Sequence, residues 1–230
     1  MFPLRDTIPS RNIPLMMWCL IALNAIVFWI EIRLPEARLA SFIERGGLVP
    51  ERLLHDWSHS WALLTSMFLH GGWMHIIGNM WFLYLFGDNV EDRMGPLRFL
   101  AFYLLCGVAA ALTHVLLHAD SKVPVIGASG AISGVMGAYF ILFPKSRVIT
   151  LIVILLIIRL VEIPAQVYLG LWFVLQLLSG FVSLGAADGF SSVAWWAHIG
   201  GFVAGMVLMP VFVRRRQPSR RSYPDEYRPW

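Results

Sequence analysis

The chain has 230 residues, of which 58% are hydrophobic and only 14% are charged, with a net charge of +4 and a mean hydropathy of +0.67. Soluble globular domains carry about 25% charged residues, so this chain has too few charges to cover a water-soluble domain of its length. Intrinsic disorder is excluded because it requires low hydrophobicity, and a nucleic-acid-binding domain is excluded because it requires a clustered basic face. The composition therefore predicts one polytopic membrane domain.

Charge-free runs along the chain predict the membrane-spanning helices, each of which needs about 20 mainly apolar residues. We predict six such helices, within residues 13–30, 61–86, 99–119, 123–144, 163–187 and 189–213. The expected fold class is an all-α membrane protein built as a six-helix bundle. Residues 148–158 are also apolar but are short for a span, and we interpret them as an interfacial or re-entrant segment that leads into the fifth helix.

Lysine and arginine in the short loops predict the orientation, because these residues favour the cytoplasmic side. With six spans, twelve basic residues lie on the side of the two termini and five on the other. We therefore expect a cytoplasmic segment at residues 1–12, a membrane domain at 13–213 and a basic cytoplasmic tail at 214–230. The long first loop, about residues 31–60, is expected to lie at the outer interface. The expected location is a bacterial cytoplasmic membrane.

Polar side chains inside the spans are few, and each is a functional candidate because a polar group is costly in a bilayer. We select six of them as candidates: His70, His75, Asn79, Ser129, Ser133 and His198.

Two of these candidates share a depth in the membrane. In the predicted orientation, Ser129 and His198 both lie roughly 21–23 Å above the cytoplasmic edge. His75 and Asn79 occur early in their span on the same side, one turn apart on one helix face. A lone serine or histidine in a span usually forms a hydrogen bond between helices. Four polar residues at one depth on three helices form a candidate site.

The chemistry of these residue types points to acyl transfer. A serine hydroxyl becomes nucleophilic when a neighbouring imidazole takes its proton, which suits Ser129 and His198. Asn79, His75 and the backbone N–H of Ser129 are donors suited to a developing oxyanion. The spans that hold Ser129 and His198 contain no carboxylate, so we predict a dyad. Ser133 and His70 are interpreted as packing or structural residues.

Glycines near these residues predict close helix packing. Gly127 and Gly130 flank Ser129, which must come within about 3 Å of His198 to transfer a proton. Gly201 and Gly205 form a small-residue face below His198, suited to packing the sixth helix against the fourth.

At these positions the chain resembles the rhomboid family of intramembrane serine proteases. Residues 127–130 (Gly-Ala-Ser-Gly) resemble the nucleophile motif, residues 197–201 (Ala-His-Ile-Gly-Gly) the histidine motif, and residues 70–79 the second-helix signature with its histidine–asparagine pair. The resemblance covers roughly residues 13–213.

The resemblance implies a six-helix rhomboid bundle with a catalytic Ser129–His198 dyad. It implies an oxyanion site formed by His75, Asn79 and the Ser129 backbone, and it implies no metal or cofactor. The implied reaction is cleavage of membrane-anchored proteins near their extracytoplasmic end. Two positions depart from the family pattern: Ala62 follows Trp61 where some members have arginine, and Ser133 stands where some have a tyrosine that packs on the catalytic imidazole. Another group must therefore hold the His198 ring.

Alternative functions remain open at this point. The strongest is a non-catalytic rhomboid-like protein that binds client transmembrane helices, although the intact Ser129–His198 pair argues against it. A transporter is less consistent, because the spans carry no charge and the chain has no internal repeat. The expected partners are membrane-protein substrates and the lipid bilayer, with no nucleic acid. Neither the substrate nor the oligomeric state follows from the sequence.

Overall fold

A computed structural model describes residues 2–154, 157–185 and 193–214 of the chain, so most of the predicted tail at 214–230 lies outside the described residues. The described part is predominantly helical. Its helices are α1 (Leu15–Glu31), α2 (Glu36–Gly46), α3 (Pro50–His55), α4 (Ala62–Thr65), α5 (Trp73–Met94), α6 (Pro96–Leu117), α7 (Ser129–Leu142), α8 (Ala165–Gly185) and α9 (Trp195–Phe212). Its strands are β1 (Phe2–Asp6), β2 (Arg147–Ile154) and β3 (Ile157–Pro164).

Three of the described helices are long and apolar enough to cross a membrane. These are α6, residues Ala165–Ser183 of α8, and α9. The apolar helices α1 and α7 are shorter, with 17 and 14 residues respectively. Length and composition therefore support a membrane protein, and the count of six spans stays a prediction.

Two of the predicted helices have different boundaries in the structure. α5 begins at Trp73 rather than near residue 61, because Gly72 has a φ of 153° that interrupts a helix. α7 begins at Ser129 rather than near residue 123, because Gly127 has a φ of 124°. In both places a backbone conformation that favours glycine ends the preceding loop and starts the helix beside the polar candidates.

A small antiparallel sheet of order β1–β2–β3 makes the all-α class wrong in one region. β2 and β3 pair from Arg147↔Pro164 to Ile154↔Ile157, and β1 adds the N-terminal segment to the other edge of β2. Of the residues interpreted as an interfacial or re-entrant segment, 148–158, residues 148–154 belong to β2 and 157–158 begin β3, while 155 and 156 lie outside the described residues. Their β-branched composition suits strands, and Val148 and Thr150 are both buried on one face of β2.

The core of the bundle surrounds α7, which packs against α5, α6 and α9. α7 is rich in small residues, and Gly134 lies directly against Gly205 of α9. A Cβ atom on Gly205 would lie 2.6 Å from the carbonyl carbon of Gly134. The predicted small-residue face of Gly201 and Gly205 is therefore confirmed, and it lets two helix backbones touch.

Candidate active site

Ser129 and His198 are in direct contact in the structure. Ser129 is the first residue of α7, His198 is the fourth residue of α9, and the distance from Ser129 Oγ to His198 Nε2 is 2.8 Å. Both side chains are only partly buried. This is the separation that proton transfer from a serine hydroxyl to an imidazole requires.

The other ring nitrogen of His198 contacts a residue that the sequence reasoning missed. The Oε1 atom of Gln176, on α8, lies 2.8 Å from His198 Nδ1. A carbonyl oxygen can only accept, so Nδ1 carries the ring proton and Nε2 keeps a lone pair toward Ser129. Gln176 lies in the middle of a charge-free span. A polar side chain is costly in a bilayer, so its position in the sequence could have identified it as a candidate.

The aromatic ring of Trp172 supports the same imidazole. Trp172 lies one helical turn before Gln176 on α8, and its ring centroid is 6.0 Å from that of His198 at a tilt of 33°. The hydroxyl of Ser133, which stands at the position of the family tyrosine, donates to the Ser129 carbonyl at 2.7 Å. The predicted packing role of Ser133 fits this geometry.

The absence of a side chain at Gly127 leaves a small space, and nitrogen atoms of His75 and Asn79 lie next to it. A Cβ atom on Gly127 would lie 2.7 Å from His75 Nε2 and 3.7 Å from Asn79 Nδ2. The Gly71 N–H donates to His75 Nδ1 at 3.4 Å, which leaves the His75 proton on Nε2, facing the space. Asn79 Nδ2 is buried and has no hydrogen-bond partner within the described residues.

An unpaired buried N–H is rare in proteins and calls for an explanation. Here the Asn79 donor and the His75 Nε2–H lie next to the space at Gly127, two residues before Ser129. The Ser129 N–H belongs to the first turn of α7, so it has no acceptor within its own helix. Together these three donors can bind an anionic oxygen.

The three helices that carry the site bring their N-terminal ends together. His75 is the third residue of α5, Ser129 the first of α7 and His198 the fourth of α9. The N-terminal end of a helix carries a partial positive charge. Negative charge that develops near Ser129 is therefore stabilised by three helix dipoles as well as by the local donors.

His70 occupies a supporting position next to this site. Its side chain is 2% exposed, its ring lies edge-on to His75 at 5.1 Å, and its ring nitrogens have no hydrogen-bond partners among the described residues. Its backbone N–H donates to the buried carboxylate of Glu31, with both distances 3.2 Å. The contact fixes the end of α1 against the loop that precedes α5, which agrees with a structural role. No group of three or more metal-ligating side chains occurs in the part of the chain that the structure describes.

Comparison with known proteins gives the family. The model of the Rhomboid domain matches residues 58–215, which include every candidate site residue. RHOMBOID-like protein 5 of Arabidopsis thaliana is 31% identical over 175 residues, covering 76% of this chain and 51% of that protein. Rhomboid-like protein 11, chloroplastic, of the same plant is 32% identical over 189 residues, covering 80% of this chain and 64% of that protein.

A third relative carries a different description. Inactive RHOMBOID-like protein 8 of Arabidopsis thaliana is 33% identical over 99 residues, covering 43% of this chain and 28% of that protein. The chain thus spans about half the length of RHOMBOID-like protein 5 and less of some other relatives. The Rhomboid domain match extends over most of the described bundle, and the chain belongs to the rhomboid family.

Proposed function

We propose that the chain is an intramembrane serine endopeptidase that hydrolyses peptide bonds in or next to transmembrane segments of other membrane proteins. The observation that carries this proposal is the 2.8 Å contact between Ser129 Oγ and His198 Nε2. The Gln176 oxygen at Nδ1 favours the tautomer in which Nε2 can accept a proton. Membership of the rhomboid family, which includes serine proteases, supports it.

Acylation begins when His198 Nε2 takes the proton of the Ser129 hydroxyl and Oγ attacks the carbonyl carbon of the scissile bond. The carbonyl oxygen becomes an oxyanion in the space beside Gly127, where it accepts from His75 Nε2–H, Asn79 Nδ2–H and the Ser129 N–H. The tetrahedral intermediate then collapses. The C–N bond breaks, the imidazolium gives its proton to the leaving amine, and an ester to Ser129 Oγ remains.

Deacylation repeats these steps with water as the nucleophile. His198 takes one proton from water, and the hydroxide oxygen attacks the ester carbon. Collapse of the second intermediate breaks the C–Oγ bond, returns the proton to Ser129 Oγ and releases a carboxylic acid. Among the described residues the Asn79 donor has no hydrogen-bond partner that it must release before each oxyanion forms, so little reorganisation is needed.

The orientation and location belong to the same proposal. With both termini in the cytoplasm, as the loop charges predict, the N-terminal ends of α5, α7 and α9 lie on the extracytoplasmic side. Substrates are then membrane-anchored proteins cut near their extracytoplasmic end, by an enzyme of a bacterial cytoplasmic membrane. The protease unit is the membrane domain at residues 13–213.

The test compares wild type, Ser129→Ala and Ser133→Ala, purified in detergent and incubated with a model single-pass membrane protein. Ser133 is a matched control, because it is a serine one turn along the same helix whose hydroxyl donates to the Ser129 carbonyl. We expect cleavage and labelling by a fluorophosphonate probe in wild type and Ser133→Ala, and neither in Ser129→Ala.

Equal cleavage by wild type and Ser129→Ala would refute the mechanism. The second candidate function is a non-catalytic protein that binds client transmembrane helices, and the relative named as inactive makes it worth testing. It predicts that wild type neither cleaves nor takes up the probe, while wild type and Ser129→Ala retain the same single-pass protein in a pull-down.

A further inference from the structure

His198 has a second hydrogen-bond partner, and that partner is a neutral amide. Gln176 Oε1 lies 2.8 Å from His198 Nδ1, while Ser129 Oγ lies 2.8 Å from Nε2. We propose that Gln176 is a positioning residue that holds the imidazole in the orientation and tautomer a base requires. This inference rests on the proposed protease function and adds a third member to the Ser129–His198 pair.

The burial of Gln176 means that its amide needs a partner. Gln176 is 7% exposed, and a primary amide removed from water without a hydrogen bond is destabilising. The surrounding contacts keep it in place: one turn away, the ring of Phe173 stacks on Phe202 of α9 at 4.8 Å. The same face of α8 thus presents both the Trp172 ring and the Gln176 amide to His198.

The direction of the Gln176 hydrogen bond decides whether His198 can work as a base. When Oε1 accepts, Nδ1 holds the proton and Nε2 can take the proton of Ser129. If the amide were rotated by half a turn, its NH2 group would donate to Nδ1, and the ring proton would move to Nε2. That tautomer has no lone pair for Ser129.

A neutral hydrogen-bond acceptor is also less costly within a membrane span than a charged one. A carboxylate beside His198 would complete a triad, but a charged side chain within a span is costly. The amide supplies the accepting oxygen without the charge. The hydrogen bond strengthens once His198 becomes an imidazolium, because Nδ1–H is then a charged donor. Its effect is therefore larger in the transition state than in the resting enzyme.

The test uses Gln176→Leu and Gln176→Glu, with Gln166→Leu as the matched control at an exposed position of the same helix. We expect Gln176→Leu to lower kcat about 10- to 100-fold with KM unchanged, from the loss of one charge-assisted hydrogen bond. Gln176→Glu keeps an accepting oxygen and no donor, so it should retain most of the activity. Its carboxylate should also move the acidic limb of the kcat/KM profile to higher pH, because it stabilises protonated His198.

Nitrogen-15 NMR of histidine-labelled protein gives a readout that needs no turnover. We expect Nδ1-protonated His198 in wild type and a mixture of tautomers in Gln176→Leu. An Nε2-protonated ring in wild type would overturn the proposal, as would loss of activity in Gln176→Glu equal to that in Gln176→Leu. If wild type cleaves nothing, the protease proposal fails, yet the NMR spectra still show whether Gln176 fixes the ring.

Discussion

The contact between Gly205 of α9 and Gly134 of α7 sets the distance between the two helices that carry Ser129 and His198. A Cβ atom on Gly205 would lie 2.6 Å from the carbonyl carbon and 2.7 Å from the Cα of Gly134. Carbon atoms pack at about 3.5–4.0 Å. Gly205→Ala therefore requires the helices to separate by about 1 Å, since neither backbone can bend away within a regular helix.

The separation should weaken the dyad contact, because Gly205 and His198 lie two turns apart on the same helix. A shift of about 1 Å would stretch the 2.8 Å contact between Ser129 Oγ and His198 Nε2 beyond hydrogen-bonding range. Misplacement of about 1 Å can reduce turnover about 100-fold. Overpacking costs about 1–3 kcal/mol of stability, partly offset by the better helix propensity of alanine, up to about 1 kcal/mol.

The assay measures kcat on a model single-pass substrate and the midpoint of thermal unfolding in the same detergent. Gly170→Ala is the matched control, because a Cβ there would meet only a Phe140 ring carbon at an ordinary 3.9 Å. We expect Gly205→Ala to lose activity about 100-fold at temperatures where it remains folded, and Gly170→Ala to keep it. Wild-type turnover and an unchanged unfolding midpoint in Gly205→Ala would refute the argument that backbone contact positions the dyad.

Gly127→Ala should reduce kcat at least about 100-fold while most of the protein stays folded, because the new Cβ fills the oxyanion space 2.7 Å from His75 Nε2. Cleavage at the wild-type rate by folded Gly127→Ala would contradict that placement of the space. At the other end of α7, the Tyr139 hydroxyl donates to Asp6 at 2.6 Å, and burial raises the pKa of Asp6 to about 6. The free energy that this protonation contributes to folding is present at low pH and is lost as pH rises through about 6. Asp6→Asn should therefore reduce the change in the free energy of unfolding with pH by up to about 3 kcal/mol. Thermal unfolding at pH 4 and pH 7.5 checks this, and an unchanged pH dependence in Asp6→Asn would rule it out.

The candidate site could be predicted from the sequence because its residues have the same predicted depth in the membrane. Ser129 and His198 are 69 residues apart along the chain, yet the spans fix how far each lies from the same membrane surface. Helix rise per residue is constant, so residues at equal depth on packed helices can meet. The same reasoning grouped His75 and Asn79, whose nitrogen atoms lie near the open space beside Gly127.

The β-hairpin and Gln176 were missed for two different physical reasons. In β2, Val148 is opposite Ile163, but strand β1 comes from residues about 140 positions away. Pairing of such distant segments leaves little trace in a local apolar pattern, which looks the same for a short membrane segment. Gln176 belongs to no recognisable glycine motif, so no motif in its local sequence marks it as functional, although its amide is costly within a span.

Three residues of the Gly-Ala-Ser-Gly segment at 127–130 each meet a separate geometric requirement, which explains why the spacing matters more than the serine alone. Gly127 adopts a φ of 124° and leaves the space that His75 and Asn79 face. Ser129 must begin α7, because only a residue in the first turn has a free backbone N–H beside its own hydroxyl. Gly130 must lack a side chain because a Cβ there would lie 2.7 Å from the Ala110 Cβ. A serine moved by one residue in either direction would keep its hydroxyl but would no longer meet at least one of these requirements. The position of the nucleophile therefore depends on the two glycines as well as on the serine.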